Sequence, residues 1–376
     1  MRQKKLAFVV SGGYHTSLYL VTRDVVNELR SKGWEIDYIF VDPPKGGLKD
    51  NDKYLKIKGL SEETVYSFTG YRFRFFKNIF GKHLYQFLFR RYFCRQLDEH
   101  FKEYDGAIVH GSIFVGLSAL KTPHYGVLHS CKYDNFLGRR RGIFKLVYQR
   151  VYQKVYGGKR LLSVSNSARD DMIQKMKAKP RSLETIYNGF NFDSLVARAE
   201  KGTTKDVPEK YIMAAGRPDR TKRFDILIKA YAKTKRTHKL VIFGEGRKLK
   251  ELKELSINLG VADDVIFWGF CNNLLPYFKQ ASAYILSSDI EGLPTVVIES
   301  IAIGTPVVAT EVGGVNELLS GRLNEWVVPK GDVDALAAKI DQVLEAPPQV
   351  GPEDLAFLDY RRVSEHYIAL SEKLCD

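Results

Sequence analysis

Residues 291–310 read EGLPTVVIESIAIGTPVVAT, and this stretch decides how the rest of the chain is read. Two glutamates, Glu291 and Glu299, stand eight positions apart. Between them Gly292-Leu293-Pro294-Thr295 opens a short apolar helix. Gly304 stops that helix, and Pro306-Val307-Val308-Ala309 reads as the next buried strand. Pro294 costs little at a first helical turn, where its missing N–H would be unpaired anyway. The helix start exposes backbone N–H groups and the positive end of a dipole, which together favour a phosphate or diphosphate. Carboxylates on either side of such a pocket accept hydrogen bonds from sugar hydroxyls, and a diphosphate flanked by two polyols is a nucleotide sugar. Two solvated glutamates on a surface helix would share the bare spacing. The Gly-Leu-Pro-Thr opening and the Gly-x-Pro-Val-Val-Ala exit argue against that reading.

Outward from this stretch the chain alternates strand and helix. Upstream, Tyr211–Ala215, Lys239–Phe243, Val265–Trp268 and Ala283–Leu286 are apolar strands. Phe224–Thr234, Arg247–Leu259 and Leu274–Gln280 lie between them with helical periodicity, and Val333–Leu344 follows. The first half repeats the pattern. Leu6–Val10 and Ile36–Val41 are strands around a helix at Thr16–Ser31, and Ala107–His110, Tyr125–His129, Leu161–Ser165 and Thr185–Tyr187 are later strands. Such repetition implies right-handed crossovers and parallel sheets covered on both faces. The fold class is therefore α/β, with two Rossmann-like domains. The polar stretch Lys201–Lys210 reads as their linker, giving domains at 1–200 and 201–350. Pro347-Pro348 breaks the chain before a last amphipathic helix, Glu353–Leu374, in the segment 351–376.

Composition agrees with a two-domain globular chain: 376 residues, 44% hydrophobic. Cys94, Cys131, Cys271 and Cys375 have neither metal-ligand nor redox spacing, which points to a reducing compartment. The start MRQKKLAFVV is too short for a signal peptide, and no apolar run is long enough to cross a bilayer. The expected location is the cytoplasm. The formal net charge of +14 needs an anionic partner, and its distribution narrows the choice. Residues 71–96 hold seven Lys/Arg and ten aromatics without an acid. Residues 136–160 carry Arg139-Arg140-Arg141, Lys145, Arg150, Lys154, Lys159 and Arg160, again without an acid. Bases interleaved with Phe and Tyr suit the headgroup boundary of an anionic membrane, so peripheral attachment to the inner leaflet is expected. The competing reading is that the aromatics are core and the bases merely solvated.

The Glu-x7-Glu block resembles the signature of retaining glycosyltransferases with the GT-B fold, family 4. Other pieces are similar in the same order: Gly12-Gly13 after the first strand, Val164-Ser165-Asn166-Ser167, Asn188-Gly189-Phe190-Asn191, Gly216-Arg217 with Lys222, and Glu311–Glu317 (EVGGVNE). The resemblance implies that Glu291 holds the donor sugar and Glu299 the nucleotide ribose. It puts Arg217 and Lys222 on the leaving diphosphate and the loop with Phe270 against the nucleobase. His129 would stand beside the donor sugar, with His110 and His124 as competing candidates. Gly12 and Gly13 would let backbone approach a phosphate or the sugar. Gly292, Leu293, Pro294 and Thr295 would form the diphosphate pocket. The last helix would cross back to pack on the first domain. Closure of the two domains over the donor is expected separately, because motion is the default for domains joined by such a linker. The expected partners are a nucleotide-sugar donor, UDP-linked in the first instance, and a glycan or lipid-linked acceptor, as in bacterial surface polysaccharide assembly. No cofactor and no metal are expected.

Two Asp-x-Asp strings, Asp50-Asn51-Asp52 and Asp332-Val333-Asp334, match metal-binding pairs in spacing only. Asp332 reads as a helix cap and the first string as a polar turn. There is no Gly-x-Gly-x-x-Gly after the first strand, no His-Glu-x-x-His and no serine nucleophile elbow. Three rivals remain: a UDP-sugar epimerase on the same fold, a sugar-nucleotide sensor without turnover, and a basic nucleic-acid-binding protein. The Glu-x7-Glu block argues against the first, turnover would exclude the second, and the third requires salt-sensitive DNA or RNA binding with an inert Glu291; no nucleic-acid partner is expected.

Overall fold

The computed structural model describes residues 4–11, 17–41, 64–66, 81–138, 140–203 and 206–375. They form two compact units, residues 1–190 with 357–376, and residues 191–356.

The first unit is built on a seven-stranded sheet. Its strands are β1 (Lys5–Ser11), β2 (Glu35–Val41), β3 (Thr64–Tyr66), β4 (Gly106–His110), β5 (His124–Leu128), β6 (Arg160–Ser163) and β7 (Ser182–Thr185), in the order β3-β2-β1-β4-β5-β6-β7. Every pairing is parallel. Leu6 to Val10 are fully buried, as continuous apolar strands covered on both faces must be. The strand order reverses between β1 and β4. At such a switch point the loops at the carboxyl ends diverge and leave a crevice. Here it is flanked by the ends of β1 and β4, at Ser11 and His110.

The second unit carries a six-stranded parallel sheet. Its strands are β8 (Tyr211–Ala215), β9 (Lys239–Phe243), β10 (Val265–Gly269), β11 (Ala283–Leu286), β12 (Val307–Thr310) and β13 (Val327–Val328), in the order β10-β9-β8-β11-β12-β13. Its switch point lies between β8 and β11. The loops that leave those two strands are AAGRPDRTKR and LSSDIEGLPT, so the topology itself brings Arg217 and Lys222 to the end of the sheet that carries Glu291.

Three expectations are corrected. The units divide at Phe190/Asn191, not at Lys201–Lys210, because helix Phe192–Ala199 packs on helices Leu275–Gln280 and Thr295–Ala302 of the second unit. Asn191 caps that helix by accepting from the Ser194 N–H (3.0 Å). The other division falls at Ala356/Phe357, inside the expected last segment. The last helix is also not continuous from Glu353. A 3-10 turn, Pro352–Leu358, precedes helix Tyr360–Cys375, and the break is where Phe190 donates to Leu358 O (2.8 Å) and accepts from Tyr360 N–H (3.1 Å). Helix Tyr360–Cys375 then packs on helix Ser17–Ser31 of the first unit, as the resemblance implied. Finally, the seventh strand is Ser182–Thr185, ahead of the expected Thr185–Tyr187.

Candidate active site

The loop after β8 is shaped by its own sequence. Asp219 Oδ1 accepts from the N–H groups of Thr221 (2.7 Å) and Lys222 (3.2 Å), folding the loop back on itself. The Lys222 side chain then lies over Gly216, where a Cβ would stand 2.6 Å from Lys222 Cε. Gly244, at the end of β9, has φ +131°, and a Cβ there would stand 2.0 Å from Gly216 O. At Gly244 the obstacle is backbone and no side chain fits, while Gly216 is held to glycine by its φ of +146°.

The loop after β11 is laced to it. Ser287 Oγ donates to Lys222 O (2.9 Å) and Asp289 N–H to Thr221 O (2.8 Å). Arg223, in the left-handed region at φ +50°, pairs with Asp225 (3.0 Å) and Asp289 (2.9 Å), and those carboxylates raise its pKa. Lys222 Nζ donates to Glu291 Oε1 (2.8 Å), and the buried Ser288 Oγ donates to the same oxygen (2.7 Å). Behind Glu291 the backbone closes on Gly313: a Cβ there would lie 2.2 Å from Glu291 O, and Gly314 N–H donates to Gly292 O (2.7 Å). The EVGGVNE segment thus sets the Glu291 backbone, a role its spacing alone did not reveal.

Helix Thr295–Ala302 follows, with Pro294 in extended conformation as its cap residue and accepting from Val297 N–H (3.1 Å). Leu293 and Pro294 are buried, and Thr295 is half-buried at the positive end of the helix. Glu299 sits one turn in. Burial pushes its carboxyl up to about 7, against a smaller opposing effect of Arg198. Glu291 and Glu299 both add to the effect of burial in raising the Tyr284 hydroxyl in β11, so the two carboxylates bear on one neighbourhood.

Beside these loops lies a cleft of about 260 Å³, lined among others by Gly216, Arg217, Gly244, Glu245, Phe270 and Leu274. Arg217 is exposed, and Phe270, 70% exposed, leaves a ring face open. The second unit therefore joins Lys222 to Glu291 directly and Arg217 to Phe270 through a shared cleft. An aromatic face, a cation and a helix start at one sheet end can take a base, a diphosphate and a polyol. Ser288, Asp219 and the Arg223–Asp289 pair belong to this site and were not singled out from sequence. They act by bracing, which has no spacing signature.

In the first unit, Gly12 and Gly13 lie outside the described residues. His129 stands just past the end of β5, and its Nε2 is 2.9 Å from Nδ1 of the fully buried His110 at the end of β4. Burial drives both imidazoles down, His110 to about 3 and His129 well below its ordinary value, so both are neutral. His124 starts β5, at the opposite end of that strand from His129, within 2.8 Å of Thr122 O.

Asp332 is a helix cap, accepting from the N–H groups of Asp334 (3.1 Å) and Ala335 (2.9 Å), and Asp334 pairs with Lys233 (2.5 Å). Asp50–Asp52 lies outside the described residues. Cys131, Asp134 and Asp171 place ligand atoms within 4.8 Å of one another. Asp171, however, accepts from the N–H groups of Tyr133 (2.8 Å) and Asp134 (3.2 Å), Asp134 pairs with Lys175 (2.5 Å), and burial pushes the Cys131 thiol up to about 12. Asp171 thus receives the first N–H groups of the helical turn Tyr133–Leu137, and Asp134 is engaged by a lysine.

The basic segments divide in role. Of residues 71–96, the described part begins at Gly81, and in helix Lys82–Phe101 Tyr85 and Phe93 are core. Arg140 lies over the rings of Phe136 (4.2 Å) and Tyr148 (4.0 Å) and is a packing residue. Arg139 lies outside the described residues, and Arg141 is exposed. In helix Gly142–Tyr156, Ile143 (71%), Phe144 (66%) and Leu146 (59%) are open to solvent. Among the described residues no helix is long and apolar enough to cross a membrane.

The profile "Glycosyl transferases group 1" matches residues 197–355, and "Glycosyltransferase Family 4" matches residues 20–194. The chain belongs to the group 1, family 4 glycosyltransferases of GT-B fold. It is 32% identical over 243 residues to an uncharacterized glycosyltransferase of Methanocaldococcus jannaschii, covering 60% of each chain. Over 186 residues it is 29% identical to the N-acetylgalactosamine-N,N'-diacetylbacillosaminyl-diphospho-undecaprenol 4-alpha-N-acetylgalactosaminyltransferase of Campylobacter jejuni. That match covers 49% of this chain and 50% of the relative, so the chain spans about half to three-fifths of these curated relatives. Among solved structures, Anabaena HepE in complex with UDP superposes with a TM-score of 0.73 at 17% identity, over 99% of this chain and all of that one, a likeness of fold.

Proposed function

We propose that the protein is a retaining, metal-independent glycosyltransferase that moves a hexose or N-acetylhexosamine from a UDP-sugar to a membrane-associated glycan acceptor. The observation that carries this reading is Glu291 held by Lys222 and Ser288 at the β8/β11 switch point, beside a helix start and the Arg217–Phe270 cleft. Arg217, Lys222 and the N–H groups at Leu293–Thr295 stabilise the departing diphosphate, the largest electrostatic contribution. Glu291 orients the transferred sugar, Glu299 the ribose, Phe270 the base, and His129 supplies a further hydrogen bond to the sugar. In the reaction the acceptor oxygen bonds to the anomeric carbon as the bond to the diphosphate breaks. The nucleoside diphosphate leaves with the electron pair, and the acceptor proton passes to its phosphate oxygen on the same face.

The acceptor reading rests on two supports. The Campylobacter relative is named for a diphospho-undecaprenol substrate. The start of helix Gly142–Tyr156 shows Ile143, Phe144 and Leu146 beside Arg141, the mixture that seats a helix in an anionic headgroup layer. Incubation with a panel of UDP-sugars and membrane lipid extract, with and without EDTA, tests the whole. A glycolipid with retained anomeric configuration is expected in both arms. Conversion of UDP-sugar without an acceptor would favour an epimerase, and loss of activity in EDTA would reopen the metal question.

A further inference from the structure

His110 has no part in the reaction as proposed, yet it is built into the first unit more tightly than His129. It is the last residue of β4, fully buried and stacked on Phe8 with ring centroids 5.6 Å apart and planes 27° apart. One edge meets His129, Nδ1 to Nε2 at 2.9 Å. Its other nitrogen, Nε2, is buried without a hydrogen-bond partner among the described residues.

We propose that His110 is the positioning residue of His129: its Nδ1–H donates to His129 Nε2, fixing that ring and leaving His129 Nδ1 as an N–H donor. The inference rests on the placement of His129 beside the transferred sugar. A contact of 2.9 Å between two imidazole nitrogens holds one proton, and burial keeps both rings neutral. If His129 were the donor, His110 would carry its own proton on Nε2, stranding a buried N–H. If His110 donates, the stranded group is a lone pair, and orphaned buried N–H groups are the rarer of the two. The tautomer of a histidine is set by the bond its other nitrogen makes. Nδ1 of His129 is then a donor toward sugar oxygens and cannot serve as a base through that atom.

Histidine-labelled full-length protein, studied by long-range nitrogen–carbon-proton correlation at neutral pH, reads the tautomer directly. His129 should show a protonated Nδ1 and an unprotonated Nε2. His110→Phe keeps an aromatic ring against Phe8 but removes the donor. It should convert His129 to the Nε2–H form or a mixture and lower kcat by about tenfold or more with donor KM unchanged. In His110→Asn the side-chain amide stands where Nδ1 stood, and it should restore both the tautomer and most of kcat. An Nε2–H tautomer in the wild type overturns the proposal even if His110→Phe does not fold. So does His110→Phe with tautomer and kcat unchanged. Full activity in His129→Ala would overturn the placement of His129 and, with it, the positioning role, whatever tautomer is seen; the nucleotide site of the second unit would stand.

Discussion

The two units share a parallel sheet with a switch point, but they differ in how their sites are made. In the second unit the site is local. Two loops, at 216–223 and 287–295, supply most of it, and each is forced into shape by neighbours in sequence: Asp219 folding its own loop, Pro294 starting its own helix. In the first unit the named residues come from separate strand ends, His110 at the end of β4 and His129 just past β5, and they meet only because the sheet places those two strands side by side. A diphosphate needs a helix start and cations in a fixed arrangement, which a short sequence can encode. A site assembled from several strand ends leaves no spacing to read.

That contrast gives the largest prediction. Glu291→Ala should lower transfer by about 10²–10³-fold or more while the protein stays folded, because the lost contact orients the reacting sugar. His129→Ala, removing one hydrogen bond, should cost about tenfold to a hundredfold. Initial rates on purified variants check both, and a larger loss in His129→Ala would reverse the ranking of the two units.

Glu299 sharpens the comparison from the stability side. Its carboxyl is raised to about 7 by burial, whereas an unfolded glutamate titrates near about 4.3. The folded chain therefore binds more protons between those values, and stability falls as pH rises through that window. Glu299→Gln should raise the melting temperature at pH 8, by on the order of 1–3 kcal/mol of stability, and leave it unchanged at pH 4. It should also weaken donor binding. A variant that is less stable at pH 8 would contradict the buried-carboxylate account.

The smallest effects belong to the first unit's surface. Arg141→Ser should weaken binding to vesicles containing phosphatidylglycerol by about 1 kcal/mol, and Phe144→Ser should weaken it further. Arg140→Ser should instead lower the melting temperature, since its guanidinium is packed between Phe136 and Tyr148. Flotation at low and high salt separates these. Equal partition to neutral and anionic vesicles would leave an acceptor in solution as the better reading.

Much of this was legible in the sequence. Both sheets and most strands of the second unit follow from periodicity, and the resemblance marked Lys222 and Glu291 as site residues, but not their ion pair, which depends on β8 and β11 being neighbours. Helix Lys82–Phe101 was not, because apolar residues occur all round it: Tyr85, Phe93 and Leu97 are buried while Leu88 and Tyr92 are exposed, so no stripe appears. The unit boundary was missed because Lys201–Lys210 is polar and rich in breakers, whereas the true division lies in Asn188–Asn191, where a cap and a backbone bridge replace any change of composition. The His110–His129 contact depends on β4 and β5 being neighbours, which no local pattern states.

The central claim is that the second unit binds a nucleotide sugar through Arg217, Lys222 and Glu291. Calorimetric titration with UDP-, GDP- and ADP-sugars in the presence of EDTA tests it most directly. The account predicts saturable binding of a UDP-sugar at one site per chain, weakened by about tenfold to a hundredfold in Arg217→Ala and in Glu291→Ala. Binding of no nucleotide sugar, or equal binding by wild type and both variants, would contradict it.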